Sequence, residues 1–197
     1  MTKNVILLIA AFVLGSIPFG IITAKVKGID LKKVGSGNIG ATNVLRSLGR
    51  WPAVITLLGD ILKGTLAVAI GKYSGVEPLY EGLIGIAAIL GHNFSIFLGF
   101  KGGKGVATSL GVLLMYTPHV ALVTLIVWIG VVLFTKYSSL GAIVSFALLP
   151  LNIMLFDFQD KTKFIISILI SLFIIIRHKD NIKRLMKGTE RKIGQHA

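Results

Sequence analysis

Val120-Ala121-Leu122-Val123-Thr124-Leu125-Ile126-Val127-Trp128-Ile129-Gly130-Val131-Val132-Leu133-Phe134 holds no charged side chain and a single hydroxyl. A run this apolar reads as a helix crossing lipid, because a helix satisfies every backbone polar group internally. Working outward, further apolar runs lie near 4–24, 52–71, 82–98, 140–156 and 163–176, with a shorter one at 106–116. The short run either starts deeper in the membrane or re-enters it, and Thr117-Pro118 separates it from its successor. The whole chain agrees: 54% of its 197 residues are apolar types and 15% are charged, and the mean hydropathy is +0.83. Soluble domains carry about 25% charged residues, and disordered chains are poor in large apolar side chains, so both classes are excluded. The chain has no cysteine, which removes disulfides, thiolate metal sites and thiol nucleophiles. The expected fold is an all-α integral membrane protein, one domain over 1–197, with about seven transmembrane helices.

The charge pattern orients it. Lys and Arg number 21 against 8 Asp and Glu, a formal net charge of +13. If all seven runs cross, sixteen of the positive residues fall in 25–50, 99–105, 135–139 and the tail from 177; the opposite side holds only Lys3, Lys72, Lys161 and Lys163. Positive residues stay in the cytoplasm, so the N-terminus is expected outside and the C-terminus inside. The basic excess is then the cytoplasmic rim of a membrane protein rather than a nucleic-acid surface. The first run reads as a retained helix, since Lys3 is its only basic flank and no clear cleavage site follows.

The polar, glycine-dense segments all fall on the expected cytoplasmic side. The first is Gly35-Ser36-Gly37-Asn38-Ile39-Gly40-Ala41-Thr42-Asn43-Val44-Leu45-Arg46. Gly35, Gly37 and Gly40 allow sharp turns that present N–H groups to an anion. Ser36, Asn38, Thr42 and Asn43 add neutral donors, Arg46 a forked charge suited to phosphate, and a helix starting at Ala41 would turn its positive end to the same anion. The segment fits G-x-G-x-x-G, and Asp60 lies twenty residues beyond Gly40. No βαβ unit surrounds it and Asp60 sits in an expected membrane helix, so the dinucleotide reading fails. A solvated interfacial turn is the plain alternative.

The second segment is Gly99-Phe100-Lys101-Gly102-Gly103-Lys104-Gly105-Val106-Ala107-Thr108, a cationic loop leading into a helix. Its spacing is not that of a P-loop; it reads either as an anion clamp or as a basic turn against lipid headgroups. Just upstream, His92 lies in or at the edge of a span, where a polar residue marks either a functional site or a helix–helix hydrogen bond. Asp60 and Lys63 share a face of another span and read as a structural ion pair. The third segment, Arg177-His178-Lys179-Asp180-Asn181-Ile182-Lys183-Arg184, continues the last run. On a helix, Arg177, His178, Asn181 and Arg184 would line one side, while most of its lysines read as the ordinary positive end of a membrane helix. Glu190 reads as a salt-bridge partner.

No G-x-S-x-G elbow, no His with an Asp five residues on, and no His–carboxylate set with metal spacing occurs. Catalysis in such a chain rests on anion capture and positioning. A small organic-anion transporter is the competing class, disfavoured because the polar groups gather on one face rather than at mid-membrane.

The chain resembles the PlsY family of bacterial acyl-phosphate:glycerol-3-phosphate acyltransferases. The resemblance rests on Gly15-Ser16-Ile17-Pro18-Phe19-Gly20, Gly35 to Arg46, Gly91 to Thr108 and Arg177 to Arg184, and it covers essentially the whole length. It implies transfer of a fatty acyl group from acyl phosphate to the sn-1 hydroxyl of glycerol 3-phosphate, giving lysophosphatidic acid and phosphate in phospholipid biosynthesis. It implies no cofactor and no metal site, and a multi-pass protein of the bacterial cytoplasmic (inner) membrane with its site on the cytoplasmic face. Functional coupling to the enzyme that makes acyl phosphate is a further expectation. Ser36, Arg46, Lys104, His178 and Asn181 are the candidates at the reacting centre. Gly35, Gly37, Asn38, Gly40, Thr42, Asn43, His92, Lys101, Gly102, Gly103, Gly105 and Ser139 are the candidates around the substrates. Asp60, Lys63 and Glu190 are expected to be structural.

Overall fold

The structure, a computed structural model, describes residues 1–194; the last three residues of the expected 1–197 domain lie outside them. Among the described residues there are eleven α-helices and no strand. They are α1 (Thr2–Ser16), α2 (Phe19–Val26), α3 (Ala41–Leu48), α4 (Arg50–Tyr73), α5 (Pro78–Asn93), α6 (Val106–Tyr116), α7 (Pro118–Thr135), α8 (Ser138–Ala147), α9 (Leu149–Phe156), α10 (Lys161–Arg177) and α11 (Lys179–Met186).

Four stretches are long and apolar enough to cross a membrane: Thr2–Val26, Arg50–Tyr73, Pro78–Leu98 and Pro118–Thr135; α8 and α9 together make a fifth, bent by 42°. Three expected spans differ from the structure. The 4–24 run breaks at Ile17-Pro18, because a residue before proline is pushed out of the helical region, and Ile17 stands at φ −59°, ψ 118°. The 140–156 run divides at Leu148, just before Pro150, which cannot supply a helix-interior N–H. The 82–98 run leaves the α-helix at Asn93 and continues as a 3-10 turn, Ile96–Leu98. The short run is α6, as its boundaries foretold; its 11 residues span about 16 Å at 1.5 Å per residue, roughly half the hydrocarbon thickness.

The packing is that of a protein turned toward lipid. Ile6, Ile9, Leu122, Ile126 and Leu133 are exposed, while Thr56, Asp60, Lys63, Thr108, Ser109 and Ser171 are buried. With no hydrophobic drive between helices in lipid, close approach of small residues does the joining. At the α4–α6 contact, a Cβ built on Gly64 would lie 2.2 Å from the Thr108 carbonyl oxygen and one on Gly111 2.0 Å from that of Ile61. Only glycine permits these backbones to touch. A larger apolar core, including Val112, Phe146, Leu149, Ile166 and Ile170, binds α6–α10 together.

Candidate active site

The first glycine segment is organised from within by the buried side chain of Asn43. Its Oδ1 accepts from the Ser36 N–H at 2.8 Å, and its Nδ2 shares two hydrogens among the carbonyls of Asn38, Val34 and Leu31 at 2.8, 3.2 and 3.4 Å. Asn38 Oδ1 accepts from Gly40 N–H at 2.9 Å, and α3 begins at Ala41. The Ser36 side chain is left exposed on the turn. Thr42 Oγ1 lies 3.2 Å from Ser138 Oγ, so this segment touches the start of α8.

The second segment is held from outside. Gly103 and Gly102 donate their N–H groups to the carbonyls of His92 and Asn93 at 3.0 and 3.1 Å. Arg177 grips the same two glycines from another direction, donating to Gly103 O through Nε (3.1 Å) and Nη2 (2.8 Å) and to Gly102 O through Nη2 (3.2 Å). Its guanidinium carbon sits 5.4 Å from the Phe94 ring centroid, a cation–π contact. Gly105 caps α6 in the left-handed region at φ 85°. Lys101 is exposed.

The third segment does not continue α10. The helix ends at Arg177, His178 is the junction, and α11 starts at Lys179. His178 is buried and its Nδ1 lies 2.7 Å from the Ile174 carbonyl, which can only accept, so the ring proton is on Nδ1 and Nε2 is bare. Burial, aided by Lys104, pushes the His178 pKa down to about 4.

The segments meet around one carboxylate. The tail turns back after α11 and delivers Glu190, whose Oε1 accepts from Ser139 Oγ and Asn181 Nδ2 at 2.7 Å each, and whose Oε2 pairs with Arg184 Nε at 2.7 Å. Burial alone would raise this carboxyl; the hydrogen bonds from Ser139, Asn181 and Arg184 outweigh it and hold it below its usual range. Lys104 Nζ donates to Asn181 Oδ1, so Asn181 is fixed at both ends of its amide. Burial pushes Lys104 down to about 8, with Glu190 opposing. Arg46 Nη2 donates to the tail carbonyls of Arg191 (2.8 Å) and Lys192 (3.4 Å), and burial lowers its pKa from the ordinary value.

Thus Thr42, Arg46, Lys104, Ser139, His178, Asn181 and Glu190 come together from distant parts of the chain, with Gly102, Gly103 and Gly105 as their neighbours along the loop. Gly35, Ser36, Gly37, Asn38 and Gly40 form the adjoining turn. His92, with Asp60 and Lys63, lies beneath the second loop: Lys63 Nζ is 2.8 Å from Asp60 Oδ1 and 2.9 Å from His92 Nδ1. Arg177 and Arg184 organise the site more than a basic helix end would; their grip on carbonyls and on Glu190 depends on chain reversals that leave no local pattern. The arrangement offers several cations and amide donors, a neutral imidazole and a glycine-lined backbone, which suits the binding of a phosphate group.

The comparisons point the same way. The family model described as Glycerol-3-phosphate acyltransferase matches residues 5–188. A glycerol-3-phosphate acyltransferase of Geobacter sulfurreducens is 44% identical over 192 residues, 98% of each chain. The crystal structure of PlsY (YgiH), an integral membrane glycerol 3-phosphate acyltransferase, in its glycerol 3-phosphate form has a TM-score of 0.93 at 42% identity, covering 98% of this chain and 96% of that one. Its lysophosphatidic acid form has a TM-score of 0.90 at 41% identity over the same shares. This is a multi-pass membrane protein, and the chain belongs to the glycerol-3-phosphate acyltransferase family.

Proposed function

We propose that the chain transfers a fatty acyl group from acyl phosphate to the sn-1 hydroxyl of glycerol 3-phosphate, releasing lysophosphatidic acid and phosphate, with all its site residues in one domain. The observation that carries this reading is the convergence of Arg46, Lys104 and Asn181 beside a glycine-lined loop, a cradle for phosphate with no thiol or metal-ligand cluster among the described residues. The crystal neighbours named for glycerol 3-phosphate and lysophosphatidic acid forms support the acceptor and the product. Acyl phosphate is an activated mixed anhydride, so no strong nucleophile has to be built and no cofactor is required. The reading also takes seven membrane crossings, an outside N-terminus, and a site at the cytoplasmic face of the bacterial inner membrane, following the sixteen-to-four distribution of positive residues. Functional coupling to the enzyme that makes acyl phosphate fits a donor this reactive.

In this mechanism the glycerol hydroxyl oxygen attacks the acyl carbonyl carbon. The new ester C–O bond forms as the C–O bond to phosphate breaks, and phosphate leaves with the electron pair. Arg46, Lys104 and Asn181 hold the phosphates, with Ser36, Asn38 and Lys101 at the entrance and Ser139 and Glu190 fixing Asn181. The departing proton goes to a substrate phosphate oxygen. Burial, with Lys104 beside it, pushes the His178 pKa down to about 4, which makes its imidazole a weak base and leaves the phosphate as the acceptor in this mechanism. His178 Nε2 accepts a hydrogen bond from the attacking hydroxyl and orients it. Positioning of this kind is worth about 7–11 kcal/mol.

The test is phosphate release by purified protein given acyl phosphate and glycerol 3-phosphate, with acyl-CoA as the control donor. Phosphate released together with lysophosphatidic acid from acyl phosphate and glycerol 3-phosphate supports the reading. Lysophosphatidic acid formed only from acyl-CoA, which releases the CoA thiol and no phosphate, overturns the donor, and lysophosphatidic acid from neither donor overturns the transfer.

A further inference from the structure

Lys63 is 2% exposed in the middle of α4, and its ammonium has three donors and no acceptor. It donates to the Ile17 carbonyl at 2.8 Å and to His92 Nδ1 at 2.9 Å, and its charge is paired with Asp60 Oδ1 at 2.8 Å. The Ile17 carbonyl is available because Pro18 breaks the first span. A proton on His92 Nδ1 would face the ammonium donor to donor, so Nδ1 is bare. Asp60 Oδ1 lies 3.5 Å from the same nitrogen, outside the usual range of about 2.7–3.2 Å, and is engaged by Lys63.

A neutral imidazole with a bare Nδ1 carries its proton on Nε2. That nitrogen faces the second glycine loop: a Cβ built on Gly103 would lie 2.1 Å from it. Nε2 has no hydrogen-bond partner among the described residues, so its N–H is unspent at the edge of the loop that carries Lys104. The backbone of His92 holds the same loop through Gly103 N–H, which leaves the ring little freedom to turn away.

We propose that Lys63 and Asp60 are positioning residues that lock His92 as the Nε2–H tautomer, so that His92 donates a hydrogen bond to a phosphate oxygen bound at the Gly102–Gly105 loop. This rests on the acyl-transfer reading for its ligand, which is the phosphate of glycerol 3-phosphate or of the acyl donor. Asp60 serves by balancing and orienting the ammonium; Lys63 serves by occupying the nitrogen that must stay bare.

The experiment is nitrogen NMR of the full chain, labelled with ¹⁵N-histidine in nanodiscs, with His92→Gln used to assign the signal. The expected result is an unprotonated Nδ1, a protonated Nε2, and a shift of the Nε2–H signal on adding glycerol 3-phosphate or acyl phosphate. The double variant Asp60→Leu/Lys63→Met removes both charges together, so neither is left buried and unpaired. It is expected to unfold near the wild-type temperature, to show mixed tautomers at His92, and to raise KM about 10- to 100-fold for the substrate whose phosphate His92 holds, the loss of one hydrogen bond to a charged group. A rise for glycerol 3-phosphate assigns the acceptor's phosphate, a rise for acyl phosphate the donor's. A proton on Nδ1 in the wild type overturns the proposal, as does a folded double variant with wild-type KM for both substrates. If the double variant does not fold, the wild-type spectrum decides: an Nε2–H signal that neither substrate moves overturns the donor role. Wild-type phosphate release, measured in parallel, reads the acyl-transfer proposal separately. A protein that shows the Nε2–H form and its shift with glycerol 3-phosphate, yet transfers no acyl group, keeps the lock and loses the reaction.

Discussion

The two glycine segments look alike as sequence and are built in opposite ways. The turn over 35–40 is held by a residue only a few positions on: the Asn43 amide reaches four backbone groups of residues 31–38. The loop over 101–105 holds itself hardly at all; His92 and Asn93 tie it to α5, Arg177 ties it to the end of α10, and Lys104 reaches Asn181 on α11. The first is a local part that the rest of the protein receives ready-made. The second takes its shape from three other elements, so it reports on the state of the whole bundle.

That contrast can be broken or sharpened by substitution. The largest effect is expected from Asn43→Ala, which removes one accepted and two donated hydrogen bonds at roughly 1 kcal/mol of net stability each. A loss of about 3 kcal/mol is a large part of a typical 5–15, and thermal unfolding in detergent should show it; a small shift would mean the turn is not self-built. Gly103→Ala comes next, because its Cβ would enter the His92 ring, and that ring is pinned by Lys63. A misplacement near 1 Å can cost about 10²-fold, so kcat/KM should fall by about that much with the unfolding temperature changed little. Arg46→Lys keeps the charge and loses the fork; KM for glycerol 3-phosphate should rise about tenfold or more, and an unchanged KM would remove Arg46 from phosphate binding.

A smaller, graded effect comes from pH. The Lys104 pKa, lowered by burial to about 8, means the ammonium is present below that value and lost above it. Phosphate binds the charged form, so KM for glycerol 3-phosphate should rise above pH 8 by up to about tenfold per unit, and Lys104→Arg should flatten the rise. The smallest effect is expected from Gly40→Ala in the first turn. Gly40 has ordinary backbone angles, φ −80° and ψ 162°, and its new Cβ would sit 3.2 Å from Asn38 Oδ1. Turnover should stay within a fewfold of wild type; a loss as deep as that of Gly103→Ala would erase the distinction between the two segments.

The membrane class, the helix at α6 with its stop at Tyr116, the helix start at Ala41 and the Asp60–Lys63 pair were all legible along the chain. Each depends on neighbours within a turn or on the apolarity of a continuous run, and those are properties a sequence displays directly. The breaks at Ile17 and Leu148 were less legible, since a proline in an apolar run signals a kink or a boundary without saying which. The return of the tail was not legible at all: Glu190 meets Ser139 and Asn181, and Arg46 meets Arg191, only after α11 reverses. Composition and periodicity alone thus determined an all-helical membrane chain with three cationic, polar segments, because burial in lipid acts on every residue of a span alike. Only the tertiary structure decided that these segments gather around the returning tail and that His92 is held from below by Lys63, because hydrogen bonds between distant groups depend on how helices pack and not on the order in which their residues are written.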